Sequence, residues 1–374
     1  MTVPEPVVLS DFSEEALARV ANRDAVFLVS AGDRSAYLGK TTLLRRRLLR
    51  LLRPANRPGR FLNLRAVATC VEYWPTVSQS ESSLIFYLVA KRHFPDTYLK
   101  LTKLRMPCYV KLLLANPFPR TQVTTRLAGS TPLFYGPFRS RASAEQFENR
   151  FLDLFQIRRC EEDLDPRPDH PGCIYGEMNK CVRPCQQAVT RDEYQSEVKR
   201  VGEFLKSDGF SLLNPAIAAR DRFSEEMQFE QAARQHKEVE KIQAVLGLRD
   251  ELARDIERLN GVLATPSADP SSVQLRFFLR GAWQPALLLP VTEGTGAVAG
   301  DASSLDHRLR DLASSLDPAP VSTAERQEHL ALIARLYYST WRDGEWLLFD
   351  DLARLPYRKL VRAISRAHKQ TETA

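Results

Sequence analysis

Apolar positions along the chain switch repeatedly between a helical and a strand-like period. Phe12 to Ala21 reads as a short helix, Ala25 to Ser30 (AVFLVS) as a strand, Ala31 to Arg34 as a hairpin turn and Ala36 to Leu38 as the return strand. Leu43 to Leu52 has helical periodicity, Leu62 to Tyr73 alternates as a third strand would, and Ser83 to His93 is a further helix stopped by Pro95. Tyr109 to Ala115 and Thr121 to Leu127 predict strands. TPLFYGPF at Thr131 to Phe138 reads as a turn-rich loop, because Gly-Pro dipeptides mark turns. Ala144 to Phe155, Arg191 to Ser207, a pair of helices over 215–250 broken near Gln228, and Ala324 to Trp341 complete the helical set. Ala264 to Ser272 (ATPSADPSS) reads as a linker, Val273 to Leu279 with Pro285 to Val291 as a β-hairpin, and Thr292 to Ser304 as a mobile small-residue stretch. The pattern predicts an α+β protein.

The 374 residues carry 44% hydrophobic and 26% charged side chains, ordinary for a globular chain with room for two or three domains. No apolar run approaches the ~20 residues of a membrane helix, and Met1 to Ser10 lacks a basic region followed by an apolar one, so a cytoplasmic location without membrane contact is expected. The net charge of +7 is compatible with nucleic acid as a partner. Its local form is Arg45, Arg46, Arg47, Arg50 and Arg53, interleaved with leucines within nine residues. Such a run suits an ordinary solvated helix face or a phosphate-facing one.

Six cysteines are present, at 70, 108, 160, 173, 181 and 185, and four of them fall in a 26-residue window. In a cytoplasmic protein that clustering favours metal ligation over disulfides. The spacing Cys160-x12-Cys173-x7-Cys181-x3-Cys185 offers four thiolates for a [4Fe–4S] cluster or a structural zinc. Zinc sites usually show two short pairs, and only one short pair is present here. Pro171, Gly172 and Pro184 flank the cysteines as a wrapping loop requires.

YGPF at Tyr135 to Phe138, IRRC at Ile157 to Cys160 and CIYGEMNKCVRPC at Cys173 to Cys185 together resemble the UvrC family of bacterial excinuclease subunits. The resemblance implies a [4Fe–4S] cluster ligated by Cys160, Cys173, Cys181 and Cys185.

LGKTT at Leu38 to Thr42 invites a P-loop reading, but that motif needs glycine where Arg34 stands, and the backbone nest for phosphate is lost. The stretch is more similar to the second motif of a GIY-YIG nuclease domain, in Ala36-Tyr37-Leu38-Gly39-Lys40, with Arg47 seven residues after Lys40. That resemblance implies Tyr37, Lys40 and Arg47 as a catalytic set for phosphodiester hydrolysis, a tyrosine helping to deprotonate water and the cations steadying developing charge. It also implies one Mg²⁺ or Mn²⁺ held by a glutamate. The counterparts of the first tyrosine, the glutamate and an asparagine fall at Phe27, Phe86 and Tyr98. A phenyl ring cannot bind a hard cation that takes oxygen ligands. Glu81 is five residues from Phe86, about 140° around a helix, and Glu72 lies on the preceding strand, so each is an imperfect substitute. Cleavage is expected to be weakened or lost. Lys40, Arg46, Arg47 and Arg50 are the candidate DNA contacts.

Met227 to Ala233 (MQFEQAA) resembles the UVR motif, through which UvrC contacts UvrB. The apolar positions Phe229, Ala232, Ala233 and Val239 recur at helical spacing and form the expected partner surface, unless the two helices simply pack on their own domain. VQLRFFLRGAWQPALLLPV and His329 to Trp341 look like the UvrC segment that precedes its second nuclease domain, which would be absent here together with the tandem helix-hairpin-helix.

The expected organisation is a GIY-YIG-like domain at 15–105, a cysteine-cluster region at 106–210, a UVR-like hairpin at 211–255 and a small α/β segment at 273–370. Three functions are consistent with it: a DNA- and UvrB-binding repair protein with weakened cleavage, an active structure-specific endonuclease with a rearranged metal site, or a cluster- or zinc-containing DNA-binding regulator.

Overall fold

The computed structural model describes residues 3–52, 64–129, 133–291, 305–314, 316, 321–340 and 343–372. Among the described residues three four-stranded antiparallel sheets follow one another, each with helices packed against it, and the fold is α+β as expected.

The first sheet has the order β1-β4-β2-β3, with β1 Val7–Leu9, β2 Ala25–Ala31, β3 Arg34–Thr41 and β4 Cys70–Pro75. Gly32, at φ +59, makes the β2–β3 turn. Helices α1 Glu14–Arg19 and α2 Leu44–Leu51 cover one face, meeting Phe27, Val29 and Val71 through Leu17, Leu44 and Leu48. Helix α4 Gln79–His93 covers the other, meeting Val26, Leu28, Leu38 and Trp74. A short α3, Leu64–Val67, precedes β4, so the alternation from Leu62 to Tyr73 is strand only at its end. Helix α4 starts four residues before the expected Ser83, because the Ser78 hydroxyl caps it by accepting the Glu81 N–H at 3.0 Å. The short α5, Tyr98–Thr102, leads on to the second sheet.

That sheet has the order β6-β5-β7-β8, with β5 Cys108–Leu112, β6 Thr121–Thr124, β7 Leu133–Phe138 and β8 Arg254–Asp255. The expected loop at Thr131 to Phe138 is therefore a strand from Leu133 onward, and all six of its residues are buried. A register shift between Cys108 and Val110 in β5 lets the chain accommodate Gly136-Pro137. Gly136 has no room for a side chain, since a Cβ there would lie 2.8 Å from the Tyr109 ring. Helices α6 Arg141–Phe151 and α8 Arg191–Lys206 close the core with Phe147, Phe151, Tyr194 and Phe204. Between them lie the cysteine loop and the short α7, Ile174–Glu177. Helices α9 Phe210–Glu225 and α10 Phe229–Leu246 form an antiparallel pair beside this unit.

The third sheet has the order β11-β10-β9-β12, with β9 Asn260–Pro266, β10 Ser272–Leu279, β11 Ala282–Pro290 and β12 Glu345–Phe349. The expected linker begins inside β9, whose Val262 and Ala264 are fully buried, and only the stretch after Pro266 is a connection. The stretch expected to be mobile, Thr292 to Ser304, lies outside the described residues. Helices α11 Leu305–Ser314, α12 Thr323–Tyr338 and α13 Tyr357–Glu372 complete the chain.

Helix α12 touches all three units. Glu328 accepts hydrogen bonds from Tyr87, Lys91 and Tyr98 of the first. Gln327 accepts the Leu127 N–H and Tyr338 donates to the Pro137 carbonyl of the second. His329 accepts the Trp283 N–H of the third. One hydrophobic cluster accordingly draws on Leu84 and Tyr87, on Tyr109 and Phe134, and on Leu263, Phe278 and Trp283, with Leu330 and Ile333 of α12 between them.

Candidate functional site

Strands β2 and β3 set Phe27 opposite Gly39 and Val29 opposite Tyr37. Tyr37 and Gly39 share the α2-facing side of the sheet, and a Cβ at Gly39 would lie 2.7 Å from the Phe27 ring. One turn into α2, half-buried Arg47 donates from Nη2 to the Tyr37 hydroxyl at 3.0 Å. Fully buried Phe27 packs its ring 5.8 Å from that of Tyr37. The structure thus brings Tyr37 and Arg47 together and places a phenyl ring where a second phenol was sought.

Lys40 does not join them. Alternation turns it to the Leu38 side of β3, where the charge of Arg335 on α12 acts on it. This corrects its placement in one set with Tyr37 and Arg47. Neither acid considered as a substitute ligand reaches the pair. Glu72 lies on the face of β4 opposite Val71 and Tyr73, where its charge is felt by His93 of α4. Glu81 accepts the Val77 N–H at 3.0 Å and a hydrogen bond from Gln274 at 3.3 Å. Phe86 packs among Val26, Leu38 and Trp74, and the Tyr98 hydroxyl donates to Glu328 at 2.5 Å.

Beside the pair, α1 and α2 border an open groove of about 1170 Å³. Arg46, Arg47, Arg50 and Arg65 line it, and so do the carboxylates Glu14 and Glu15. Arg46 and Arg50 are exposed. Arg53, the last of the basic run, lies outside the described residues. The Glu14 and Glu15 contribution was not legible in sequence, because it depends on how α1 crosses α2.

The cysteine loop leaves the core at Ile157 and returns at α8. Left-handed residues at Gly172, Asn179, Arg183 and Gln187 wind it. The Arg167 N–H donates to the Cys185 carbonyl, the Val182 N–H to Gln156 and the Gln187 side chain to Pro166. Asp153 binds Arg159 at 2.9 Å and Lys180 at 3.0 Å, so one carboxylate ties the residues just before Cys160 and Cys181. Cys181 and Cys185 are buried, and Cys160 and Cys173 are half-buried. Burial pushes the Cys181 thiol up to about 11, with the charges of Cys160, Cys173 and Cys185 adding to the effect. Cys185 likewise feels the charges of Cys173 and Cys160. No three ligating side chains among the described residues stand close enough to grip a single ion. The Arg183 N–H points at the Cys181 sulfur at 3.4 Å, and Arg158 Nη1 lies 3.8 Å from the Cys160 sulfur. Four cysteines on one loop, two of them with N–H groups near the sulfur, are the donor chemistry of a thiolate-bound metal centre. Arg158 and Asp153 were missed in the sequence reading. Their signal was faint, an arginine between Ile157 and Arg159 and a lone acid in a helical run.

The paired helices α9 and α10 correct the expected partner surface. Val239 is 1% exposed and packs with Ile242 against Leu213 and Ala216 of α9, and Ala232 is buried too. Both belong to the interior of the pair, because the stripe covers the neighbouring helix. Phe229 and Ala233 remain exposed near the α9–α10 turn, beside exposed Met227.

No helix among the described residues is long and apolar enough to cross a membrane. Residues 108–204, the second sheet with the cysteine loop and α8, match the family model of the UvrC/Cho excinuclease middle domain. The UvrABC system protein C of Moorella thermoacetica is 26% identical over 269 residues, 72% of this chain and 43% of that protein. That of Ruminiclostridium cellulolyticum is 23% identical over 271 residues, covering 71% and 44%. That of Oleidesulfovibrio alaskensis is 30% identical over 199 residues, covering 53% and 28%. The chain spans less than half the length of these curated relatives, and no solved structure matches it. The chain is thus similar to the UvrC/Cho excinuclease family, through the model of its middle domain over residues 108–204 and through longer, low-identity matches to UvrABC system protein C.

Proposed function

We propose that the chain is a UvrC-related repair component that binds DNA and a UvrB-type partner, with GIY-YIG-like cleavage weakened or lost. The carrying observation is the Tyr37–Arg47 pair, which stands beside Phe27 with neither Glu72 nor Glu81 on its face of the sheet. An arginine and a tyrosine can orient a phosphate, but the pair itself supplies no carboxylate oxygen to hold a divalent ion. The test is incubation of the purified chain with damaged or branched DNA and Mg²⁺ or Mn²⁺. Little or no cutting is expected, and robust cutting that disappears in Arg47→Ala would refute the proposal.

One observation favours a second reading, an active endonuclease with a rearranged site. Glu14 and Glu15 line the same groove as Arg47. Under that reading Glu14→Gln with Glu15→Gln abolishes cutting.

For the cysteine loop, the proposed occupant is a [4Fe–4S] cluster held by Cys160, Cys173, Cys181 and Cys185. A tetrahedral zinc with sulfurs at ~2.3 Å needs those sulfurs about 3.8 Å apart. The choice of a cluster over zinc follows the single short pair in the cysteine spacing, where zinc sites usually show two. Iron, sulfide and zinc analysis of anaerobically purified protein separates the two. The exposed end of the α9–α10 pair is the proposed contact for the UvrB-type partner, and a pull-down tests it.

A further inference from the structure

Arg158 is buried to 1% exposure. Its Nε donates to the Phe118 carbonyl at 2.9 Å, and its Nη1 to the Glu162 carbonyl at 2.6 Å and toward the Cys160 sulfur at 3.8 Å. Nη2 is buried with no partner. None of these partners is a carboxylate. Asp153, at the entry to this loop, is already committed to Arg159 and Lys180.

A guanidinium keeps its proton in a protein, so the interior here holds a full positive charge whose hydrogen-bond partners are two carbonyls and the Cys160 sulfur. Interiors tolerate a buried charge when an opposite one stands close by. Among the side chains that Arg158 contacts through its guanidinium, the one that can become negative is the Cys160 thiol. Tyr194 fixes the segment by accepting the Arg158 N–H at 3.1 Å while donating to the Pro119 carbonyl at 2.7 Å. The guanidinium is thus held at the inner wall of the loop.

We infer that Arg158 is the charge partner and positioning residue of an anionic four-thiolate centre. The inference rests on the reading of the cysteines as ligands. Four thiolates outnumber the positive charge of an iron–sulfur core or of a zinc ion, so the bound centre is net negative in either case. Arg158 neutralises part of that charge, holds the Cys160 arm in place, and through its positive field raises the reduction potential of an iron–sulfur centre.

The experiment uses the full chain, reconstituted anaerobically with ferrous iron and sulfide. Wild type, Arg158→Lys and Arg158→Met are compared for iron content, for the lifetime of the visible absorbance under chelator, and for reduction potential. Arg158→Met is expected to lose its centre roughly ten-fold faster and to show a lower potential, in line with other mutations around metal ligands. Arg158→Lys keeps the charge and is expected to retain most of the lifetime. Arg158→Gln, neutral but still able to donate to a carbonyl, replaces the methionine variant if that one fails to fold. A wild type that takes up neither iron nor zinc overturns the ligand reading and the inference together. A loaded wild type matched in lifetime and potential by the neutral variant overturns the inference alone. Equal losses in the lysine and neutral variants also overturn it, since charge is then not what Arg158 supplies.

Discussion

The Arg47 guanidinium donates to the Tyr37 hydroxyl at 3.0 Å, and the ring behind that hydroxyl is Phe27, stacked over Gly39 with no space for a methyl group. The close packing of Phe27 and Tyr37 on a bare backbone carbon fixes where the hydroxyl points. Gly39→Ala would push its Cβ to 2.7 Å from the Phe27 ring and 2.9 Å from the Tyr37 ring. The expected cost is about 1–3 kcal/mol, the usual penalty of an overfilled core, measured by chemical denaturation. A variant as stable as wild type would show that the rings can part.

Arg46 and Arg50 stand exposed along the groove that Arg47 enters. If this face follows a phosphate backbone, Arg46→Ala and Arg50→Ala each weaken binding about equally for all sequences. Each also reduces the slope of log affinity against log salt by about 1. Fluorescence anisotropy over a salt series measures both, and an unchanged slope in the double variant places the DNA elsewhere.

The α9–α10 pair separates fold from recognition by residue. Val239, 1% exposed, should cost about 1–2 kcal/mol when cut to alanine, from lost methyl burial and the space left behind. Phe229 is 66% exposed, and Phe229→Asp should leave stability within about 0.5 kcal/mol of wild type. The same change should abolish capture of a UvrB-type partner. Thermal melts and a pull-down on both variants check the pair of expectations, and full capture by Phe229→Asp moves the contact off this end.

His329 gives the joint between the sheets a pH dependence. It is 1% exposed, its Nδ1 accepts the Trp283 N–H at 3.2 Å, and Glu325 stands 3.7 Å from Nε2. Burial, with the nearby charge of Lys91 adding to it, lowers its pKa from 6.5 to about 4. The unfolded chain therefore takes up a proton near 6.5 that the folded chain refuses until about 4. Stability from this group is present above pH 6.5 and falls as the pH drops toward 4, by roughly 3 kcal/mol in all. Denaturation midpoints at pH 7 and 4.5 should differ less in His329→Gln than in wild type. Equal slopes would exclude His329 as the source.

The sequence disclosed what depends on local pattern. The run Ala25 to Ser30, the helix after it and the cysteine spacing were all readable, because each is set within a few residues. Gly136-Pro137 misled, since a turn signal was absorbed by a shifted register in a buried strand. Val239 misled for a related reason, as a stripe of apolar residues does not say which neighbour will cover it. Lys40 shares a motif with Tyr37 but stands three residues away on a strand, so alternation sends it to the other face. The Glu328 cluster joins residues more than 200 positions apart, and Asp153–Lys180 and Arg158–Phe118 also cross the loop or the sheet, so one sequence carries little trace of them.

Helix α12 pins the other elements together, with Glu328 reaching into the first sheet's helix, Gln327 and Tyr338 into the second unit and His329 into the third. Mechanically it works as a dowel through three boards. Drawing the dowel should loosen the joint before the boards, because among the described residues each board keeps a hydrophobic cluster of its own and only the shared one draws on α12.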